Sequence, residues 1–226
     1  GAAMGVSMLR RVGLGRIPGV KRPALGAVFP IKTRPFLIDG GANADCRPEQ
    51  LLQFGIMGSL YVERVAGIAN PRVGLMSNGS EEGKGNTLIR EAHELLQASN
   101  LNFVGNIEPK DFASGAVEVA VTDGFTGNLI IKASEAIASY IKGRLREEIE
   151  ASKRATIGAL IARNAFNAVS ADANADEVGG VPLLGVNGIV VIAHGGSSSR
   201  AIQQAIAKAR LAVEHNIVEA IRDGLA

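Results

Sequence analysis

The stretch VVIAHGGSSSRAIQQAIAKA, Val190 to Ala209, passes from an apolar run through a His-Gly-Gly-Ser-Ser-Ser turn into an amphipathic helix. Strand, polar turn and helix in succession are the repeating unit of an α/β protein. The same order recurs upstream. Short β-rich runs are predicted as strands at Phe36–Asp39, Arg72–Ser77, Leu101–Val104, Val117–Thr122 and Ile189–Ala193. Helical spacing fills the gaps between them. Pro48 stands where a first-turn proline belongs, and Leu51, Leu52, Ile56, Leu60 and Val65 follow at helical intervals. Residues 86–98 form a shorter helix. A long one begins near Asn128, with Ile130, Ser134, Ile137, Ile141 and Leu145 along one face. In the last helix Ile202, Ile206, Ala209, Val213, Ile217 and Ala220 lie on one stripe, which is predicted to pack on the sheet. Such alternation predicts parallel strands joined by helices.

Composition narrows the class. With 226 residues, 46% of them hydrophobic, the chain can bury a sizeable core. Its 28 glycines fall mostly between apolar runs, as turn residues do. A single cysteine, Cys46, excludes an internal disulfide framework and points to a reducing compartment. Together with three scattered histidines it argues against zinc, and no metal is expected. No signal peptide or spanning apolar run is visible. The net charge of +2 hides a bias: residues 1–34 hold seven basic side chains and no acid. This segment is either a solvated face or an attractor for an acidic partner. Aromatics make up only 4% of the chain and none interleaves with these basics, so nucleic acid is not expected as a partner.

One region breaks the alternation. The long helix is predicted to continue through RLREEIEASKRATIGALIARNAFNAVS, starting at Arg144, until the acidic ADANADE ends it. The result is a helical excursion over about 145–175. Ile157, Leu160, Ile161, Ala165 and Val169 share an arc on which Arg154 and Asn164 intrude, so packing on a partner helix and membrane-surface contact both stay open. The opening residues read as a helix interior without a cap, and an N-terminal portion is expected to precede them.

Four polar turns follow predicted strands, at the end of the sheet where open α/β proteins bind ligands. They are DGGANAD (39–45), SNGSEEGKGN (77–86), TDGFTGN (122–128) and HGGSSS (194–199), and all four are expected at one sheet edge. Gly195, Gly196, Ser197 and Ser198 offer backbone N–H groups, hydroxyls and a helix N-terminus, which suit a phosphate. The serines serve equally well as a helix N-cap. His194 is a candidate general acid, or a core histidine closing a buried strand. Lys84 supplies a positive charge from a flexible loop, although the phosphate-loop spacing of nucleotide hydrolases is absent. Asn43, Asn78 and Asn128 are candidate donors to an oxyanion or ligand, with ordinary turn roles as the alternative. Neither a dinucleotide-binding glycine motif nor a serine-hydrolase elbow is present, and no cofactor is expected.

The segments IDGGANADCRPEQLLQFGIMGSLYVE, NPRVGLMSNGSEEGKGN, VTDGFTGN and GGVPLLGVNGIVVIAHGGSSSRAI, in this order, closely resemble the bacterial phosphate acyltransferases, the PlsX family. LGRIPGVKRPAL fits as well, so the resemblance covers essentially the whole chain. It lacks the family's first strand and DAMGGD-type turn, which would precede Gly1. The resemblance implies a single three-layer α/β/α domain over 1–226 with a mostly parallel sheet, similar to phosphotransacetylases and isocitrate-dehydrogenase-type enzymes, plus a protruding helical hairpin. It implies transfer of a fatty acyl group from acyl carrier protein to inorganic phosphate, without metal or nucleotide, for phospholipid synthesis. It further implies a homodimer in the cytoplasm that touches the inner face of the membrane weakly through the excursion. In that frame His194, Lys84 and Asn43 are the catalytic candidates. Gly195 to Ser198 are expected to hold phosphate, and Asp39, Asn78, Asp123 and Asn128 to contact substrate. Arg10, Arg11, Arg16, Lys21 and Arg22 are expected to dock the acidic carrier. Two alternatives remain at this stage: a phosphotransacetylase-like enzyme using coenzyme A thioesters, and a non-catalytic remnant that binds carrier or membrane.

Overall fold

The computed structural model describes residues 13–172, 179–193 and 195–225. These form strands β1 (Ala24–Val28) and β2 (Phe36–Ile38), helix α1 (Pro48–Ala66), β3 (Val73–Met76), α2 (Thr87–Gln97) and β4 (Phe103–Ile107). Then come α3 (Pro109–Ser114), β5 (Val119–Val121), and the helices α4 (Gly124–Glu150), α5 (Lys153–Ile161) and α6 (Arg163–Asp172). The chain closes with β6 (Val181–Leu184), β7 (Val191–Ile192), α7 (Ser199–Glu214) and α8 (Ile217–Gly224).

The strands make one sheet in the order β4-β3-β5-β2-β1-β6-β7. Alternation of side chains across the sheet divides the core into two layers. Phe36, Ile38, Val73, Leu75, Val119 and Val121 point to one face, where they meet Leu51, Phe54 and Met57 of α1, Leu96 of α2 and Ile217 and Ile221 of α8. Leu37, Met76 and Ala120 point the other way, to Phe112 of α3 and Ile130 and Ile131 of α4. The α/β class and the three-layer arrangement follow from this period of two.

The sheet is mixed rather than mostly parallel. The pairs β3–β4, β3–β5 and β2–β5 are parallel, whereas β1–β2, β1–β6 and β6–β7 are antiparallel. Two antiparallel strands, β1 and β6, lie outside the strands predicted from sequence; β1 contains Gly26 and β6 contains Pro182. The consequence is directional. Counting across the registers, β6 runs with β2, so β7 runs against it. Val191 sits level with Pro182, and thence with Gly26 and Ile38, so the residues after β7 leave at the end where β2 begins.

The helices also depart from expectation. The long helix stops at Glu150 and Ser152 caps α5, its hydroxyl accepting from the Ala155 N–H. A further break at Ala162 starts α6, so the excursion is three helices. No residue of α5 or α6 is buried. The stripe predicted for the last helix is interrupted at Asn216, whose φ is 51°. Its upstream half faces outward: Ile202, Ile206 and Val213 are exposed, while Ala201, Ala205 and Ala212 are buried. Among the described residues no helix is long and apolar enough to cross a membrane.

Candidate active site

Three of the four polar turns meet at one end of the parallel strands. β3, β5 and β2 are neighbours in that order, so SNGSEEGKGN, TDGFTGN and DGGANAD emerge side by side. The fourth turn does not join them. Gly195, Gly196, Ser197 and Ser198 follow β7 and lie at the opposite end of the sheet. There Ser198 caps α7 by accepting from the Ala201 N–H at 3.2 Å. His194 lies outside the described residues, as do Arg10 and Arg11. The expected gathering of four turns is therefore corrected to three, and the cause is the reversed direction of β7.

Asp39 organises the three that remain. Its side chain is fully buried at the end of β2. Oδ1 accepts from the backbone N–H groups of Leu25 at 3.0 Å, Gly41 at 3.1 Å and Ala42 at 2.9 Å. Oδ2 accepts from the Asn43 N–H at 2.7 Å and from its side-chain amide at 2.8 Å. Burial raises the Asp39 carboxyl above its ordinary value, and the bonds from Ala42, Asn43, Leu25 and Gly41 pull it back. The turn is thus an anion-binding concavity filled by the protein's own carboxylate. Its amides are occupied, and Asn43 has its amide hydrogens on Asp39 and on the Pro23 carbonyl at 2.8 Å. In this arrangement Asn43 and Asp39 hold the turn together.

The start of α4 fits against that turn. The Gly124 N–H donates to the Asn43 carbonyl at 2.7 Å. A Cβ on Gly124 would lie 2.6 Å from the same carbonyl oxygen, and one on Gly127 would lie 1.9 Å from the Asp39 carbonyl oxygen. Only glycine permits this approach. Asp123 caps α4, Oδ1 accepting from the Thr126 N–H at 2.8 Å and Oδ2 from its hydroxyl at 2.9 Å. Next to it the Thr122 hydroxyl is buried with no hydrogen-bond partner among the described residues. Asn128 is exposed on the second turn of α4, with its Cβ 3.2 Å from where a Gly41 side chain would begin.

The loop after β3 carries the cation. Asn78 accepts from the Gly85 N–H at 2.9 Å through Oδ1, which closes the loop on itself. Lys84 is exposed, and its ammonium makes no hydrogen bond or ion pair with the described residues. Lys21 and Arg22 immediately precede β1, whose first residues reach Asn43 and Asp39, so they share this end of the sheet. Lys21 lies 3.7 Å from Glu49, and Arg16 donates to the Lys21 carbonyl. Among the described residues no group of three or more His, Cys, Asp or Glu is placed to hold a metal.

Cys46 stands half-buried beside this site. Burial first, and then the charges of Asp39, Asp123 and Asp45, push its thiol up to about 11 against the pull of the Gly124 N–H.

A solved phosphotransacetylase from Streptococcus pyogenes has the same fold, with a TM-score of 0.56 over 90% of this chain and 58% of that one at 18% identity. The fold is therefore a three-layer α/β fold shared with that protein. More narrowly, residues 1–220 match the family described as fatty acid synthesis protein, and the chain belongs to that family. A phosphate acyltransferase of Pelotomaculum thermopropionicum is 48% identical over 226 residues, all of this chain and 65% of that protein. A phosphate acyltransferase of Helicobacter pylori strain J99 is 46% identical over 219 residues, 96% of this chain and 63% of that protein. The chain thus spans a little under two thirds of these relatives.

The sequence singled out Asp39, Asn78, Lys84, Asp123 and Asn128, and the structure brings them to one end of the sheet. It missed Leu25 and Pro23, because they act through backbone atoms at the start of β1, where there is no polar turn.

Two outcomes follow. Asp39→Asn replaces an acceptor by a donor facing other donors and costs at least about 2 kcal/mol, measured as a lowered urea midpoint. A midpoint within about 0.5 kcal/mol of wild type would show that the cage is not built on the charge. Iodoacetamide at pH 8 modifies Cys46 in the native protein roughly 10²-fold more slowly than an unperturbed thiol. Alkylation at the free-thiol rate would contradict its burial.

Proposed function

We propose that this protein, as part of a phosphate acyltransferase, transfers a fatty acyl group from the thioester of acyl carrier protein to inorganic phosphate, giving an acyl phosphate for phospholipid synthesis. The observation that carries the reading is the meeting of three polar turns at one end of the parallel strands, in a chain of this family. The chemistry needs a cation for phosphate, donors for the thioester oxyanion and a proton source for the departing thiolate.

Lys84 is the phosphate cation in this reading, and the exposed amides of Asn78, on the same loop, and of Asn128, near the start of α4, are donors to substrate. The Asp39 and Asp123 carboxylates serve by fixing the turns from within. Gly195 to Ser198, at the other end of the sheet, are assigned no part in this site, and no role in it is assigned to His194. Lys21 and Arg22, with Arg16, offer the acidic carrier a basic approach beside the three turns.

The assay is release of free thiol from acyl carrier protein thioester in the presence of phosphate, with coenzyme A thioester as the comparison. Lys84→Ala in the whole protein raises the phosphate KM about tenfold, the scale of one charge-assisted contact. An unchanged phosphate KM removes Lys84 from the site, and thiol release from coenzyme A thioester alone selects the alternative donor.

The excursion supports weak contact with a lipid surface. Ile157, Leu160 and Ile161 are exposed on α5, flanked by Lys153, Arg154 and Arg163 with no acid between 153 and 169. Exposed Ile137, Tyr140 and Ile141 on α4 support contact with a second copy of the chain. The protein is expected to co-sediment with anionic vesicles, less so as salt rises, and not at all with Ile157→Asp and Leu160→Asp combined. If that variant still binds vesicles but becomes monomeric, the helices are a dimer surface and the membrane assignment falls.

A further inference from the structure

A histidine seven residues beyond the SNGSEEGKGN turn reaches back, through a second side chain, to the loop that carries Lys84. His93 lies on α2, buried, with its ring edge-on to Phe103 at 5.2 Å. Its Nδ1 is 3.0 Å from Oδ1 of Asn106 on β4. The side-chain amide of Asn106 in turn donates to the carbonyl of Glu81 at 2.9 Å. That second bond fixes the chemistry of the first. A carbonyl can only accept, so the Asn106 nitrogen faces Glu81 and its oxygen faces His93; Nδ1 must then carry the proton. His93 thus reads through Asn106 to the backbone of the loop. The Glu81 carbonyl also accepts from the Lys84 N–H at 3.0 Å, so the relay ends one hydrogen bond from the lysine. Arg90, one turn earlier on α2, donates to the Gly85 carbonyl at 2.7 Å on the far side of Lys84.

The neighbours of the His93 ring set the limits of this relay. Nε2 lies 3.9 Å from Glu82 Oε1, a residue exposed to solvent, which leaves the Asn106 bond as the close contact of the ring. Asn106 is itself buried, so a polar side chain is spent inside the fold on a single loop carbonyl. Unsatisfied buried amides are costly, and both partners are therefore held in one geometry.

We propose that His93 is a positioning residue: by donating to Asn106 it fixes the Glu81 carbonyl and so the loop conformation that presents Lys84. The functional half of this rests on the reading of Lys84 as the phosphate cation. His93→Leu and His93→Asn differ little in shape, and only Asn restores a donor near the place of Nδ1. They separate packing from the hydrogen bond.

In the whole protein, His93→Leu is expected to raise the rate of tryptic cleavage after Lys84 by about tenfold, since an unpinned loop opens more often. It is also expected to raise the phosphate KM several-fold with kcat within about threefold of wild type, and His93→Asn returns both toward wild type. Should His93→Leu fail to fold, Asn106→Ala breaks the same relay and is read in the same way. Equal behaviour of the Leu and Asn variants would overturn the proposal in favour of plain packing. A raised phosphate KM in Lys84→Ala with none in His93→Leu would overturn it as well. Faster cleavage in His93→Leu, with the phosphate KM unmoved in both it and Lys84→Ala, would keep the relay and discard the phosphate reading of Lys84.

Discussion

A carboxylate without water is the constraint on which this fold turns. Asp39 is buried where β2 ends, and a buried charge is tolerated only if nearly every lone pair is met. Five N–H groups meet it, drawn from β1 and from the turn itself. Those bonds dictate the neighbourhood. β1 must pass close enough for Leu25 to reach, the chain from Gly41 to Asn43 must fold back over the oxygens, and α4 must begin with glycines because the Asp39 and Asn43 carbonyls already occupy the space a side chain would take. A turn that looks in the sequence like an open cradle for a ligand is closed from within.

The direction of strands was the part of the fold hardest to read from sequence. Alternating strand and helix patterns made parallel pairing the natural expectation, and for β2, β3, β4 and β5 it holds. The antiparallel half rests on β1 and β6, Ala24–Val28 and Val181–Leu184, which carry a glycine and a proline and lead into none of the four polar turns. A signal for the reversal was nonetheless present. Asn187-Gly188 stands between the apolar runs of β6 and β7, and such a dipeptide between strands is a hairpin mark. Reading it would have turned β7 around and carried the glycine-serine turn away from the other three.

Helical periodicity likewise located apolar faces without saying what they face. In α7 both an isoleucine stripe and an alanine stripe are apolar, and the structure buries the alanines. The reason is distance: a Cβ on Gly179 would lie 3.0 Å from the Ala205 nitrogen, and one on Gly180 would lie 3.2 Å from the Ala205 Cβ. Backbone meets backbone there, and only small residues leave room for it. Ile202, Ile206 and Val213 are displaced to the surface, as are Ile137, Tyr140 and Ile141 once α4 has passed Ile131, its last contact with the core.

Charge divides the site unequally, and this makes the placement of one loop matter. Asp39, Asp45 and Asp123 cluster where β2 and β5 end, close enough that all three raise the Cys46 thiol. An anion arriving there would be repelled. One strand further on, past β5, the loop after β3 offers Lys84 with no carboxylate paired to it among the described residues. Neighbouring strands are spaced by about 4.8 Å, so the favourable and unfavourable regions lie within a few ångströms of each other. A lysine on a glycine-flanked loop has no rigidity of its own, and the side chains that supply it come from behind: Asn78 within the loop, Arg90 and His93 on α2, and Asn106 on β4. The conformation of this loop thus depends on hydrogen bonds made within it and from α2 and β4.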